Sequence, residues 1–297
     1  MTQPLSRRLF LSLAGAAVVL RAHPAEAIAT RPDTVVIWQG EGAHFGGFSA
    51  LELSSDRTRM LTISDRGFAV RARLHRDASG RLTSIEPIEQ FALRDRDGTA
   101  LTGGRADVEG MDQRPDGSLF LSFEGGRRTR VMRQPSDRAP AEPLPRHPDW
   151  ANLRGNGGLE ALAVDATGAV FTIPESPVDG RFPIYRFDGR AWSVVAQLRA
   201  QGGFAPVGAD FGPDGNLYLL ERNFRLAFFA TRISRLRPQG LGVREVLVET
   251  GYGVLDNHEG ISITRDAAGQ LWATTISDDN QNRFQRTELA EFALPDA

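Results

Sequence analysis

Apolar and polar positions alternate along this chain in short runs, separated by clusters of Gly, Pro, Asp and Asn. A two-residue period of this kind predicts strands with one buried face, not helices. The runs recur as a unit. NHEGISITRDAAGQLWATTISDDN (257–280) has a Gly-flanked entry, an alternating strand, an Asp-Gly type of turn, a second strand and an acid where that strand ends. Diverged copies are GGFSALELSSDRTRMLTISDRG (46–67), DVEGMDQRPDGSLFLSFEGG (107–126), GGLEALAVDATGAVFTIPE (157–175) and PVGADFGPDGNLYLLERN (206–223). With Glu259 as the marker, the equivalent positions are Ser49, Glu109, Glu160 and Gly208, at steps of 60, 51, 48 and 51 residues. Repetition at about 40–50 residues with several short strands per unit predicts a β-propeller.

The ends of the pattern suggest how the ring closes. TVVIWQG (34–40) precedes the first repeat as a lone strand, and the last repeat offers only three strands, near 260–264, 272–277 and 288–293. The lone strand should fill the missing outer place, which leaves no open edge between first and last repeats. The expected fold is therefore all-β: a β-propeller of five blades closed by an N-terminal strand in the last blade. Six blades is the alternative if 94–106 and 135–156 hold a further sheet. The outer strand of the second blade is hard to see, and PSDRAPAEPLPRHPDW (135–150), with five prolines, reads as a loop.

Composition narrows the chemistry. The 297 residues suffice for one large domain, and blades of one ring do not fold separately. A net charge of −2 supplies no basic stripe for nucleic acid. All 35 basic residues are arginine, which excludes a Walker-type lysine and Schiff-base chemistry. Zero cysteines exclude a thiol nucleophile, thiolate metal ligands and disulfides.

Residues 1–27 have a charged head with Arg7–Arg8, an apolar run from Leu9 to Leu20 and a small-x-small end at Ala25-Glu26-Ala27. The run is too short to cross a bilayer of about 30 Å. The pattern is that of a cleaved signal peptide, with SRRLFL similar to the twin-arginine type. The remaining 28–297 would then be a single propeller domain, periplasmic and without a membrane span.

The candidate site is built of acids. Inner strands open on Glu109, Glu160 and Glu259; second strands end on Asp65, Glu124, Glu175, Glu221 and Asp278. In a propeller these positions share one face, near the central channel. Crowded carboxylates raise one another's pKa unless something positive sits among them. One candidate is a divalent cation, Ca²⁺ or Mg²⁺, held by Glu109, Glu160, Glu259, Asp278, Asp65 and Glu175. The other is pairing with arginines such as Arg66, Arg222, Arg283 and Arg286. His258, beside Glu259, is a candidate general base alongside Glu109, Glu160 and Glu259. His44, His75, His147 and His258 are too scattered for a zinc set. GGFSA (46–50) lacks the last glycine of a nucleophile elbow and begins a strand, so Ser49 is a poor nucleophile. FRLAFFA (224–230) reads as a loop on the acid-bearing face: a lid, a protein-docking patch, or a satellite core.

The repeats resemble a bacterial exported phytase-like family, the "esterase-like activity of phytase" proteins. The resemblance is carried by SALELSSDRTRMLTISDRG, DVEGMDQRPDGSLFLSFE, NGGLEALAVD, GADFGPDGNLYLLER and DNHEGISITRD…ISDDNQNRFQRTELAEFAL. It implies a propeller and phosphoester hydrolysis. No Asp-Asp-Pro-Ala motif of the Ca²⁺-dependent propeller phytases is present, so the likeness to those is architectural. The expectation is a periplasmic metal-dependent hydrolase of a phytase-like phosphoester, with a lactone or carboxylic ester as the lesser option, in which Ca²⁺ or Mg²⁺ at the channel mouth activates water and Arg66, Arg222 and Arg283 meet the phosphate. The alternative is a non-catalytic envelope propeller binding a small ligand or a protein.

Overall fold

The computed structural model describes residues 28–40, 42, 45–125, 128–153 and 157–296. The expected export signal, His44 and Asn156 lie outside these residues. Strand β1 (Thr34–Ile37) stands before the first repeat. Blade one is β2 (Phe48–Leu53), β3 (Arg59–Ser64), β4 (Phe68–Arg76) and β5 (Leu82–Ala92). Blade two is β6 (Val108–Gln113), β7 (Leu119–Phe123), β8 (Arg130–Gln134) and β9 (Glu142–Pro143). Blade three is β10 (Leu159–Val164), β11 (Val170–Pro174), β12 (Arg181–Phe187) and β13 (Trp192–Arg199). Blade four is β14 (Ala205–Phe211), β15 (Leu217–Arg225), β16 (Phe228–Leu236) and β17 (Glu245–Glu249). Blade five holds β18 (His258–Arg265), β19 (Leu271–Ser277) and β20 (Glu288–Leu294), and β1 is its outer strand, pairing antiparallel with β20. The described residues thus form five four-stranded sheets. The 94–106 segment adds no further sheet, only an isolated antiparallel bridge between Arg94 and Ala100 and a short 3-10 turn at Gly103–Arg105.

Burial follows distance from the axis. Every residue of β10 is buried because both its faces meet neighbouring blades, whereas most of β5 is exposed. The core is accordingly divided into five apolar clusters, one at each seam between blades. Close approach at the axis needs small residues. A Cβ on Gly110 or Gly208 would collide with the carbonyl oxygen of Glu160 or Glu259 on the next inner strand. Polar side chains stitch the inner strands further along. Asp112 Oδ2 accepts from the Val164 amide at 2.7 Å, Asp210 Oδ2 from that of Ile263 at 2.5 Å, and Ser262 Oγ from that of Leu53 at 3.0 Å.

Blade two's outer strand is two residues long and lies inside the proline-rich segment. Proline cannot donate to a ladder, so such a strand survives only at an outer edge. The segment then anchors itself by Trp150, fully buried against Tyr185 and Trp192.

Residues 224–230 are not a loop. They extend β15 and β16 into a hairpin with cross-strand pairs Phe224↔Phe229 and Arg225↔Phe228. Its tip, Leu226–Ala227, has φ of +51° and +67°, the double left-handed turn whose twist matches paired strands.

Blades one and five are also latched by charge. Glu291 of β20 accepts from Arg57 Nη2 at 2.8 Å and from Arg76 Nη2 at 2.7 Å. Burial would raise the Glu291 pKa, but these arginines hold it below the ordinary carboxylate value.

Candidate active site

Each inner strand pairs with its neighbour through a register shift at the same place, and this shift defines the site. The extra residue is Ser49, Glu109, Glu160, Val207 and Glu259 in blades one to five. Val207, not Gly208, is therefore the blade-four equivalent of Glu259. A β-bulge re-aims the side chain it carries, and three of the five are glutamates that line a common cavity. The next rung outward pairs Gly47 with Asp65, Asp107 with Glu124, Gly158 with Glu175, Ala205 with Arg222, and Asn257 with Asp278. Four blades thus present an acid where blade four presents Arg222.

The cavity has a volume of about 580 Å³ and is lined by Asp65, Asp107, Glu109, Glu124, Glu160, Glu175, Glu259 and Asp278, with Arg222 the cation on its wall among the described residues. Arg222 divides it electrostatically. Its Nη2 donates to Glu175 Oε1 at 2.8 Å, and its Nη1 donates to Asn257 Oδ1 at 2.6 Å and to Glu259 Oε1. Across the cavity, Asp107, Glu109 and Glu124 bring one carboxylate oxygen each to within 4.8 Å of one another. Glu124 is 9% exposed, and its buried Oε2 has no hydrogen-bond partner.

Burial first, and crowding second, raise the pKa values of these acids. Burial, then the charges of Glu259, Glu124 and Asp107, push Glu109 well above the ordinary range. Burial and Glu175 do the same to Glu160. Burial raises Glu124 to about 7, and burial with the charge of Glu259 raises Asp278 to about 8. Burial also lifts Glu259, although Arg222 opposes it. A set of this kind can accept a cation, release protons near neutral pH, or both.

The six acids expected as metal ligands, Glu109, Glu160, Glu259, Asp278, Asp65 and Glu175, all line the cavity, but Glu175 and Glu259 are engaged by Arg222. Glu221 faces away: it is fully buried inside blade four, against Ser234 and Arg244. Because strand neighbours point to opposite faces, a one-residue shift in register exchanges Glu221 for Arg222. His258 is likewise turned into the body of blade five, with Nδ1 2.7 Å from Thr275 Oγ1 and Nε2 3.3 Å from Glu288. It is the strand neighbour of Glu259, so only one of the two can face the cavity. Arg66 lies near Asp65 and lowers its pKa, which burial raises, without lining the cavity; Arg283 stacks on Phe284 outside it. Asp107 was not singled out in the sequence. The signal was there, since it occupies the place of Asn257 in the DVEG and NHEG segments.

No curated protein matches the chain. Among solved structures, an endo-arabinase from Bacteroides thetaiotaomicron superposes with a TM-score of 0.51 at 12% identity, covering 91% of this chain and 99% of its own. A GH43 protein from Bacillus licheniformis gives 0.50 at 12% identity, covering 89% of this chain and 55% of its own. At such identities the likeness is one of fold alone. Residues 43–281 match the model of a family described as phytase-like, "Esterase-like activity of phytase".

Proposed function

We propose, from the premise that this chain belongs to the phytase-like family described as having the esterase-like activity of phytase, that it is an exported, metal-dependent hydrolase of phosphoesters. The observation that carries this is the Asp107–Glu109–Glu124 group, with oxygens within 4.8 Å and a buried Glu124 Oε2 left without a partner. An unpartnered buried carboxylate oxygen is costly, and a cation would offset the cost. An all-oxygen donor set suits Mg²⁺ or Ca²⁺ over zinc or copper. When bound, such an ion supplies Lewis-acid polarisation of the ester oxygen and charge compensation for its anion.

The chain's own residues supply the remainder. Arg222, fixed by Glu175, Glu259 and Asn257, presents a planar cation on the wall opposite the Asp107 group and orients an anionic substrate between them. Asp278 faces the same cavity and, raised to about 8, still carries its proton at neutral pH. It can hand that proton to the departing oxygen. Glu160, whose carboxyl burial and the charge of Glu175 push well above the ordinary range, is the second candidate donor.

Export rests on the Arg7–Arg8 segment, and a periplasmic protein is the consequence. No helix among the described residues is long and apolar enough to cross a membrane. The test is phosphate release from a phosphoester panel in Mg²⁺, in Ca²⁺ and in EDTA. Hydrolysis should vanish with the chelator and return with the ion; full activity in EDTA would remove the proposal.

A further inference from the structure

We infer that the substrate of this cavity carries a flat apolar group beside its scissile ester and little charge beyond one phosphate, in contrast to a polyphosphorylated polyol. The inference rests on the hydrolase reading above and narrows it to a substrate class.

The first observation is an aromatic wall. Phe224 and Phe229 form a cross-strand pair with ring centroids 4.9 Å apart and planes at 39°. Both line the carboxylate cavity, and both also line an adjoining groove of about 670 Å³ with Phe228 and Phe284. Asn280 lines both spaces as well, so cavity and groove adjoin along Phe224, Phe229 and Asn280. The aromatic surface is open: Phe224 is 61% exposed, Phe228 57% and Phe284 78%. Its geometry is built in, because the hairpin tip closes on two residues of positive φ and Phe228 packs against Gly253. Exposed aromatic surface that runs into a polar cavity provides the apolar half of a small-molecule site.

The second observation is charge. Eight carboxylates line the cavity against Arg222. The adjoining groove adds Arg286, which is already paired with Asp256 and Glu288. One phosphate can be met by a bound cation and Arg222, whereas further phosphates on one ring would find no second arginine on the wall of the carboxylate cavity among the described residues. In the reaction, water adds across the P–O bond, phosphate remains, and the apolar alcohol or phenol leaves with a proton along the aromatic groove.

The test uses the full chain with Mg²⁺ and two pairs of probes. Phenylphosphonate and methylphosphonate, which are not hydrolysed, are compared by calorimetry; phenyl phosphate and glycerol 2-phosphate are compared by kcat/KM, with phytate as a third substrate. The phenyl member should be favoured roughly tenfold in each pair, and phytate should be the poorest substrate. Phe224→Ala should bring both ratios towards one, while Phe224→Leu keeps part of the contrast. An exposed side chain makes loss of fold improbable, and circular dichroism checks it. Hydrolysis of both monoesters without phenyl preference, or a preference for phytate, overturns this inference and leaves the hydrolase reading standing. Failure to bind or hydrolyse any probe removes that reading and this inference with it.

Discussion

Nη2 of Arg222 lies 2.8 Å from Oε1 of Glu175, although the two residues hold the same rung of adjacent blades. A repeat that had kept its acid in blade four would place a fifth carboxylate there. The substituted cation instead pairs with Glu175 and Glu259, whereas Asp107, Glu109 and Glu124 stand together on the cavity without a salt bridge among the described residues, with Arg128 and Arg130 acting on Asp107 only through their charge.

Arg222→Gln should therefore destabilise the protein by about 3 kcal/mol, because breaking a mostly buried ion pair strands its partner charges. Pairing it with Glu259→Gln should restore more than half of the loss. Urea denaturation at pH 7 measures both, and strictly additive losses would show that the groups are not coupled.

A divalent cation at the Asp107 group should stabilise the folded chain. At a hundredfold excess over its dissociation constant the gain is about 2.7 kcal/mol. The melting temperature should rise with millimolar Ca²⁺ or Mg²⁺, and Glu124→Gln should abolish most of that rise. A rise of full size in the variant would put the ion elsewhere.

Stability without metal should depend on pH in a direction set by the raised carboxylates. Folded Asp112 titrates at about 6, Glu124 at about 7 and Asp278 at about 8, each lifted chiefly by burial. Unfolded, such groups titrate near about 4. Between these limits the folded chain binds more protons, so the stabilisation is complete below the unfolded values and is lost as pH rises through 6 to 8. In chelator, melting at pH 8.5 should fall several degrees below that at pH 5.5. A higher melting point at pH 8.5 would contradict the assignment.

Ring closure has three handles. Removing 34–37 takes away the outer strand of blade five and bares β20. Trp38, 4% exposed, stacks on Phe48 at 5.1 Å, so Trp38→Ala should cost about 3–5 kcal/mol. Glu291→Gln leaves Arg57 and Arg76 with a neutral partner and should cost about 2–3 kcal/mol. Unfolding curves unchanged by all three would mean that the ring does not depend on this seam.

The repeat was legible because strand alternation and the Asp-Gly turns are local. In blade two Asp116 Oδ1 accepts from Ser118, and in blade three Asp165 Oδ1 accepts from Thr167. The same turn in blade one carries Arg57 at φ +59° where other blades have glycine, and a local reading still recognises it. The hairpin at 224–230 is not legible in the sequence, for a long-range reason. FRLAFFA has no turn dipeptide at its centre. Leu226 and Ala227 adopt positive φ only because β15 and β16 are already paired on either side.

By itself the sequence determined the propeller repeat, the lone strand that completes the last blade, and a rim rich in acids, since each follows from spacing and period along the chain; the choice of five blades over six came with the five four-stranded sheets of the structure. Which of two adjacent side chains enters the cavity was decided by tertiary structure. Glu221 and Arg222, or His258 and Glu259, differ by one step of a two-residue period. The bulge that sets that step is fixed by inner strands packing around a common axis, where Gly208 meets the backbone of Glu259. The separation of the rim into an arginine-bound half and an unpaired half has the same origin, because its members come from different blades and meet only when the ring is closed.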